Sequence, residues 1–204
     1  MAKAKNPKYT TPAGIAVYPS LNKPDEYNGK VTGFKVDLEM SREDAQPLID
    51  AIEKQMKVVH KQLCEETGKK INIAKLNRPY FDHEEKDGVV VIRCKQNHEI
   101  NGEPVRIIFF DAKGNRIENP PLVRGGSKLK VAGTLYGYGG AQKGLKLTIS
   151  AVQIIELAEG GDASADQFGF GEEDGFEADH DDDAPFDTDG EDEGFEDEDD
   201  DEDF

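Results

Sequence analysis

Residues 33–68 read GFKVDLEMSREDAQPLIDAIEKQMKVVHKQLCEETG, and the hydrophobic period changes inside that stretch. Phe34, Val36, Leu38 and Met40 alternate with Lys35, Asp37 and Glu39, which is the period of two of a half-buried strand. After Ser41 the period lengthens. Leu48, Ile49, Ile52, Met56, Val59 and Leu63 recur at three-and-four spacing, so one long amphipathic helix follows, capped by Ser41 with Asp44 three residues on and ended by Gly68. Pro47 restricts the start, because proline is tolerated only in the first turn or two without a kink.

No second helix of this kind is found. AGIAVYPS precedes the stretch, and a loop NRPYFDHEEKDG follows it. Beyond the loop lie apolar-alternating runs at residues 88–95 and 104–110, then GSKLKVAGTLYGY and KGLKLTISAVQIIEL, with INGEP and DAKGN as turn signals. About six strands and one helix fit a mainly β, partly open barrel. A parallel sheet would need a helix for each crossover.

The charge divides the chain in two. Of 43 Asp and Glu, 19 lie in residues 1–158 beside all 25 Lys and Arg, a surplus of six positive charges. Residues 159–204 hold the other 24 acids and no Lys or Arg. No Val, Ile or Leu follows Leu157, so this tail cannot offset its ordering entropy by burial and is expected to be disordered. The expected domains are therefore 1–158, one folded unit, and 159–204, an acidic tail. Such charge asymmetry points to a nucleic-acid or partner-switching protein.

Two cysteines, Cys64 and Cys94, are too few for a disulfide framework and suit a reducing cytoplasm. The longest clean apolar run, VVVI at 89–92, is far below membrane-spanning length, and no apolar stretch follows the basic start. The expectation is a cytoplasmic protein without membrane contact.

Strand parity assigns faces. In SKLKVAGTLYGY, Leu129, Val131 and Leu135 point to the core, leaving Lys128, Lys130, Thr134, Tyr136 and Tyr138 outside. Leu145, Leu147 and Ile149 point in, so Lys146, Thr148 and Ser150 point out. Val90, Ile92 and Cys94 oppose Arg93 and Lys95, and Tyr18, Lys35 and Arg106 join the outward set by the same logic. Parity leaves open whether these faces converge. Cations that track phosphates beside tyrosines on which bases stack are the chemistry of single-stranded nucleic-acid binding, and neither contact reads sequence.

The motifs RGGSKLKV (124–131), PYFD (79–82), DAKGNRIENPPLV (111–123) and LTISAVQIIELA, with the basic body, acidic tail and terminal Phe, resemble the single-stranded DNA-binding protein family of T7-like short-tailed bacteriophages. The resemblance spans most of residues 12–158. It implies an OB-fold and non-sequence-specific binding of single-stranded DNA in phage replication and recombination, within the host cytoplasm. It also implies a homodimer, and a tail that competes with DNA for the groove and contacts DNA polymerase and helicase-primase. Lys128, Lys130, Arg78, Tyr80, Phe81 and Tyr138 inherit a DNA-facing role from the matched blocks. Where the family can place a further large aromatic after this tyrosine, the chain has GGAQKG, leaving stacking there to Tyr136 and Tyr138.

Six of the ten phenylalanines, Phe168, Phe170, Phe176, Phe186, Phe195 and Phe204, lie in the tail. Aromatics spaced along a polyanion resemble bases along phosphates, the ligand such a tail would displace. Phe204, with Asp203 beside it and Phe195 upstream, presents a hydrophobic knob among carboxylates for a basic-rimmed pocket on a partner.

Rival readings are weaker. GYGGAQKG lacks the ending of a phosphate-binding loop and lies between strands. His60, His83, His98 and His180 are scattered without ligand spacing, the acidic runs lack the calcium-loop pattern, and Asp37, Asp82 and Asp111 have no catalytic spacing. No metal, no cofactor and no enzymatic activity are expected. An acidic-tailed chaperone or scaffold for basic proteins explains the tail but leaves the Lys- and Tyr-bearing strands without a purpose.

Overall fold

The computed structural model describes residues 6–158. The expected disorder of residues 159–204 and the partner-binding residues Phe195, Asp203 and Phe204 lie outside them. In chain order the strands are β1 (Lys8–Thr10), β2 (Gly14–Tyr27), β3 (Lys30–Ser41), β4 (Tyr80–Asp82), β5 (Val89–Gln96), β6 (Glu99–Ile100), β7 (Glu103–Pro104), β8 (Ile108–Phe110), β9 (Arg116–Ile117), β10 (Lys128–Tyr138), β11 (Gly144–Leu147) and β12 (Ala151–Glu156). The helix α1 covers Arg42–Thr67.

Five strands close a ring in the order β2, β3, β5, β11, β10 and back to β2. Every pairing in the ring is antiparallel except β5 with β11, where Leu147 lies opposite Cys94 in parallel. A small closed barrel of five strands with this mixed closure is an OB-fold. Its interior holds the residues that alternation assigned to it: Phe34, Val36, Leu38 and Met40 from β3, Val90, Ile92 and Cys94 from β5, Leu129, Val131 and Leu135 from β10, and Leu145 and Leu147 from β11, all buried.

The helix closes onto the same core. Leu48, Ile49, Ile52, Met56, Val59 and Leu63 are buried on it, and fully burying one such side chain contributes about 1.5–3 kcal/mol. Asp44 N donates to Ser41 Oγ at 3.0 Å, and Gly68 takes the left-handed conformation at φ 62°. Pro47 sits near the start, where few intrahelical bonds are at stake.

Three expectations change. Among the described residues twelve strands replace about six, because the runs break where the chain changes partner. KGLKLTISAVQIIEL divides at residues 148–150 as it passes from β11, beside β5, to β12, beside β8. The run 104–110 likewise divides between β7 and β8. Second, β2 and β3 form a hairpin much longer than AGIAVYPS and GFKVDLEM, turning at Asn28 and Gly29, both at positive φ. Third, part of the loop NRPYFDHEEKDG is strand β4, paired with β5.

Among the described residues no helix is long and apolar enough to cross a membrane.

Candidate nucleic-acid interface

The outward residues of neighbouring strands form a band across the barrel. Lys35 of β3 pairs directly with Lys95 of β5. Beside Lys35, β2 carries a register break between Val17 and Ser20, where Tyr18 adopts φ 46° and is 81% exposed. On the other side of β5, the Leu147–Cys94 pair brings outward Lys146 next to the Arg93–Lys95 segment. Lys146 in turn pairs with Tyr136 of β10. The band runs Tyr18, Lys35, Lys95, Lys146, Tyr136 over five strands, about 19 Å at the usual strand spacing.

Two like charges directly opposite on a sheet destabilise it, so the Lys35–Lys95 pair is a local cost, part of which the Asp25 carboxylate beside Lys35 offsets. Lys35 is restrained meanwhile by Asp25, 2.6 Å from its Nζ, and the ammonium holds that carboxyl below its ordinary pKa. Lys146 Nζ sits 5.2 Å from the centroid of the Tyr136 ring and donates to Asn97 Oδ1 at 3.3 Å. Partial burial lowers the Lys146 pKa.

The end of the band is walled. Between β5 and β8 the chain leaves the barrel as the β6–β7 hairpin, and β11 and β12 part at the same place. The gap is an open cleft of about 730 Å³ with Thr134, Tyr136, Lys146 and Thr148 on one side and Asn97, Ile100 and Arg106 among its other lining residues. Tyr9 of β1 is buried, and its hydroxyl donates to the Thr148 carbonyl at 2.8 Å, fixing the point where the strands diverge.

Not all candidates reach this surface. Tyr138 follows Tyr136 on the same face at the mouth of the β10–β11 loop, paired with Gly144. Lys128 and Lys130 lie at the opposite end of β10, beside Glu156 and Gln153. The six steps from Lys130 to Tyr136 span roughly 20 Å of strand. Lys128 is also 3.4 Å from Glu156.

Arg78 and Tyr80 turn the other way. Tyr80 pairs with Ile92, whose side chain is in the core, and its hydroxyl donates to Glu53 Oε1 of α1 at 2.9 Å. Arg78 donates to both Glu53 oxygens, at 2.6 and 3.2 Å. These bonds hold the Glu53 carboxyl below its usual pKa and raise that of Tyr80, for which burial is the larger cause. This pair fastens the segment before β4 to the helix.

Phe81, one residue on, faces outward opposite Val91, and the Arg93 guanidinium lies 5.0 Å from its ring centroid. Arg93 is also paired to Asp37, through Nε at 3.0 and 3.2 Å and Nη2 at 2.7 Å. Asn97 and the β6–β7 wall carry no sequence signal of a role, because each acquires its place through contacts far along the chain.

The family model for the single-stranded DNA-binding protein of bacteriophage T7 matches residues 13–157. The chain is 31% identical to the single-stranded DNA-binding protein of Enterobacteria phage T3, over 86% of this chain and 87% of the relative. Its identity to that of Escherichia phage T7 is 29%, over 83% and 84%. The crystal structure of the phage T7 protein, gp2.5, superposes with a TM-score of 0.67 at 28% identity, over 85% of this chain and all of the other. The single-stranded DNA-binding protein of bacteriophage Enc34, solved in complex with single-stranded DNA, shares the fold at 17% identity. Its TM-score is 0.56, over 74% of this chain and 88% of that one. With the family model covering nearly the whole barrel, this chain belongs to the T7-type family of phage single-stranded DNA-binding proteins.

Proposed function

We propose that this protein coats single-stranded DNA without regard to sequence during phage replication and recombination. The observation that carries the reading is the band of Lys35, Lys95 and Lys146 flanked by Tyr18 and Tyr136 on adjacent strands, with Arg106 across the cleft. Lysines neutralise phosphates as the strand crosses the barrel, and tyrosines accept bases on their faces. Nothing in such contacts selects a base, which suits a protein that must cover any exposed strand. The mechanism is binding, without catalysis.

Residues 1–158 form the binding domain in this reading, and residues 159–204, with 24 carboxylates and no Lys or Arg, form an internal competitor that DNA displaces. Displacement frees Phe195, Asp203 and Phe204 for the replicative polymerase and helicase-primase, and the working unit is a homodimer in the host cytoplasm. Charge, aromatic spacing and family membership support these steps.

The test is oligo-dT affinity across salt for the full chain and for residues 1–158. Log affinity should fall by about 0.7 per phosphate contacted for each unit of log salt, and removing the tail should tighten binding. Salt-insensitive binding, or a preference for duplex, rejects the reading. A tail deletion that abolishes activity favours instead a scaffold for basic proteins.

A further inference from the structure

Arg93 differs from the lysines of the band in how it is held: Lys35 meets Asp25 through a single ammonium contact, whereas two nitrogens of the Arg93 guanidinium engage Asp37. Asp37 engages its guanidinium in a bidentate pair, so its charge is already met before any ligand arrives. Such a pair has little to offer a phosphate. To neutralise one, Arg93 must leave Asp37, whose side chain is 20% exposed and would then be left uncompensated beside the incoming anion.

The geometry favours another partner. The guanidinium is planar and more weakly hydrated than an ammonium, and it stacks on flat π systems. Here it lies over Phe81, 5.0 Å from the ring centroid, while its own side chain remains 45% exposed and Phe81 40% exposed. Asp37 fixes the orientation of its plane through Nε and Nη2. Val91, which pairs with both Phe81 and Glu39, is buried beneath the outer surface and supports the ring.

We propose that Phe81 and Arg93, held by Asp37, form a nucleobase-stacking shelf at the β4–β5 side of the lysine band, on which one base of the bound strand lies. The shelf is neutral overall, so it adds affinity without counterion release. It rests on the single-stranded DNA reading and deepens it by dividing the surface into phosphate-tracking lysines and a base-holding shelf that takes no phosphate.

The experiment compares the full chain with its Arg93→Lys and Phe81→Leu variants, binding oligo-dT and an abasic oligonucleotide of equal length over a range of salt. Arg93→Lys keeps the charge and removes the plane, and Phe81→Leu keeps the apolar support and removes the π face. Each variant should bind oligo-dT roughly 5- to 150-fold more weakly, the range of one lost stacking contact. The slope against salt should stay unchanged, and so should affinity for the abasic strand. Unaltered oligo-dT affinity in both variants overturns the shelf, as does an equal loss on the abasic strand, which marks a purely structural role. A shallower salt slope for Phe81→Leu, or for Arg93→Ala made together with Asp37→Ala, overturns it in favour of a phosphate contact. If the unmodified chain binds neither oligonucleotide, the parent reading fails instead.

Discussion

Lys146 Nζ lies 5.2 Å from the centroid of the Tyr136 ring, on the strand pair β10–β11 that closes the barrel. In the proposed complex the two side chains do different work on the bound strand, and the difference is measurable. Lys146→Met should lower the salt slope of oligo-dT binding by about 0.7, the loss of one phosphate contact. Tyr136→Ala should leave the slope alone and weaken binding by about 1–3 kcal/mol, the value of one stacked base. Equal slopes for both variants would remove Lys146 from the phosphate path.

In the proposed complex Asp25 competes with DNA for Lys35, since its carboxylate lies 2.6 Å from the ammonium. Asp25→Asn should tighten oligo-dT binding at low salt and steepen the slope, because Lys35 then enters the complex unpaired. Fluorescence titration at several salt concentrations reads both quantities.

The Glu53 cluster should govern stability and its acid limit. Glu53 has its pKa lowered chiefly by the bond from Arg78. A lowered folded pKa stabilises above the unfolded carboxyl's ordinary pKa and loses that stability as pH falls through the folded value. Glu53→Gln should cost about 1–2 kcal/mol near neutral pH, mostly from Arg78 left without its partner. The gap from the parent protein should close in denaturant melts taken toward pH 3.

Cys94 is buried in the barrel, where desolvation pushes its thiol up to about 12. Cys64, at the far end of α1, is partly exposed. Alkylation of the native protein at pH 8 should modify Cys64 alone, with Cys94 reacting only in denaturant. Peptide mass analysis distinguishes the two sites.

Gly133 lies where β10 passes the chain between β11 and β12, and a Cβ there would overlap the Thr148 carbonyl oxygen. That oxygen also accepts from Tyr9, so it has little freedom to withdraw. Gly133→Ala should destabilise by roughly 3 kcal/mol or prevent folding, and should open the cleft in any protein that survives. Thermal melting against the parent protein tests it.

Much of the barrel is legible because alternation is a local signal. The buried set from β3, β5, β10 and β11 follows from side chains pointing to opposite faces, and the helix from its three-and-four spacing. The length of the β2–β3 hairpin went unread although Asn28-Gly29 supplies the two positive-φ residues of a tight turn. The break inside KGLKLTISAVQIIEL is marked only by a change of phase: Leu145, Leu147 and Ile149 are buried at odd positions and Val152 and Ile154 at even ones, where the neighbour changes from β5 to β8.

The candidate site divides along the same line. Outward parity identified Lys35, Lys95, Lys146, Tyr136 and Arg93, but parity is a property of one strand, and the band exists only because five strands meet in a particular order. RPYFD shows the limit within five residues: Tyr80 pairs with core-facing Ile92 and reaches Glu53, while Phe81 pairs with Val91 and faces solvent beneath Arg93.

The amino-acid sequence alone thus determined a basic β body with one helix, an acidic aromatic tail and the residue types that hold single strands, because composition and periodicity act over a few residues. The closed ring decided which cations lie side by side. Lys128 and Lys130 fall at the end of β10 away from the lysine band, Arg78 is fastened to the helix, and Arg93 is neutralised by a carboxylate 56 residues distant. Those assignments depend on long-range register and ion pairing, which the backbone imposes only once it has closed on itself.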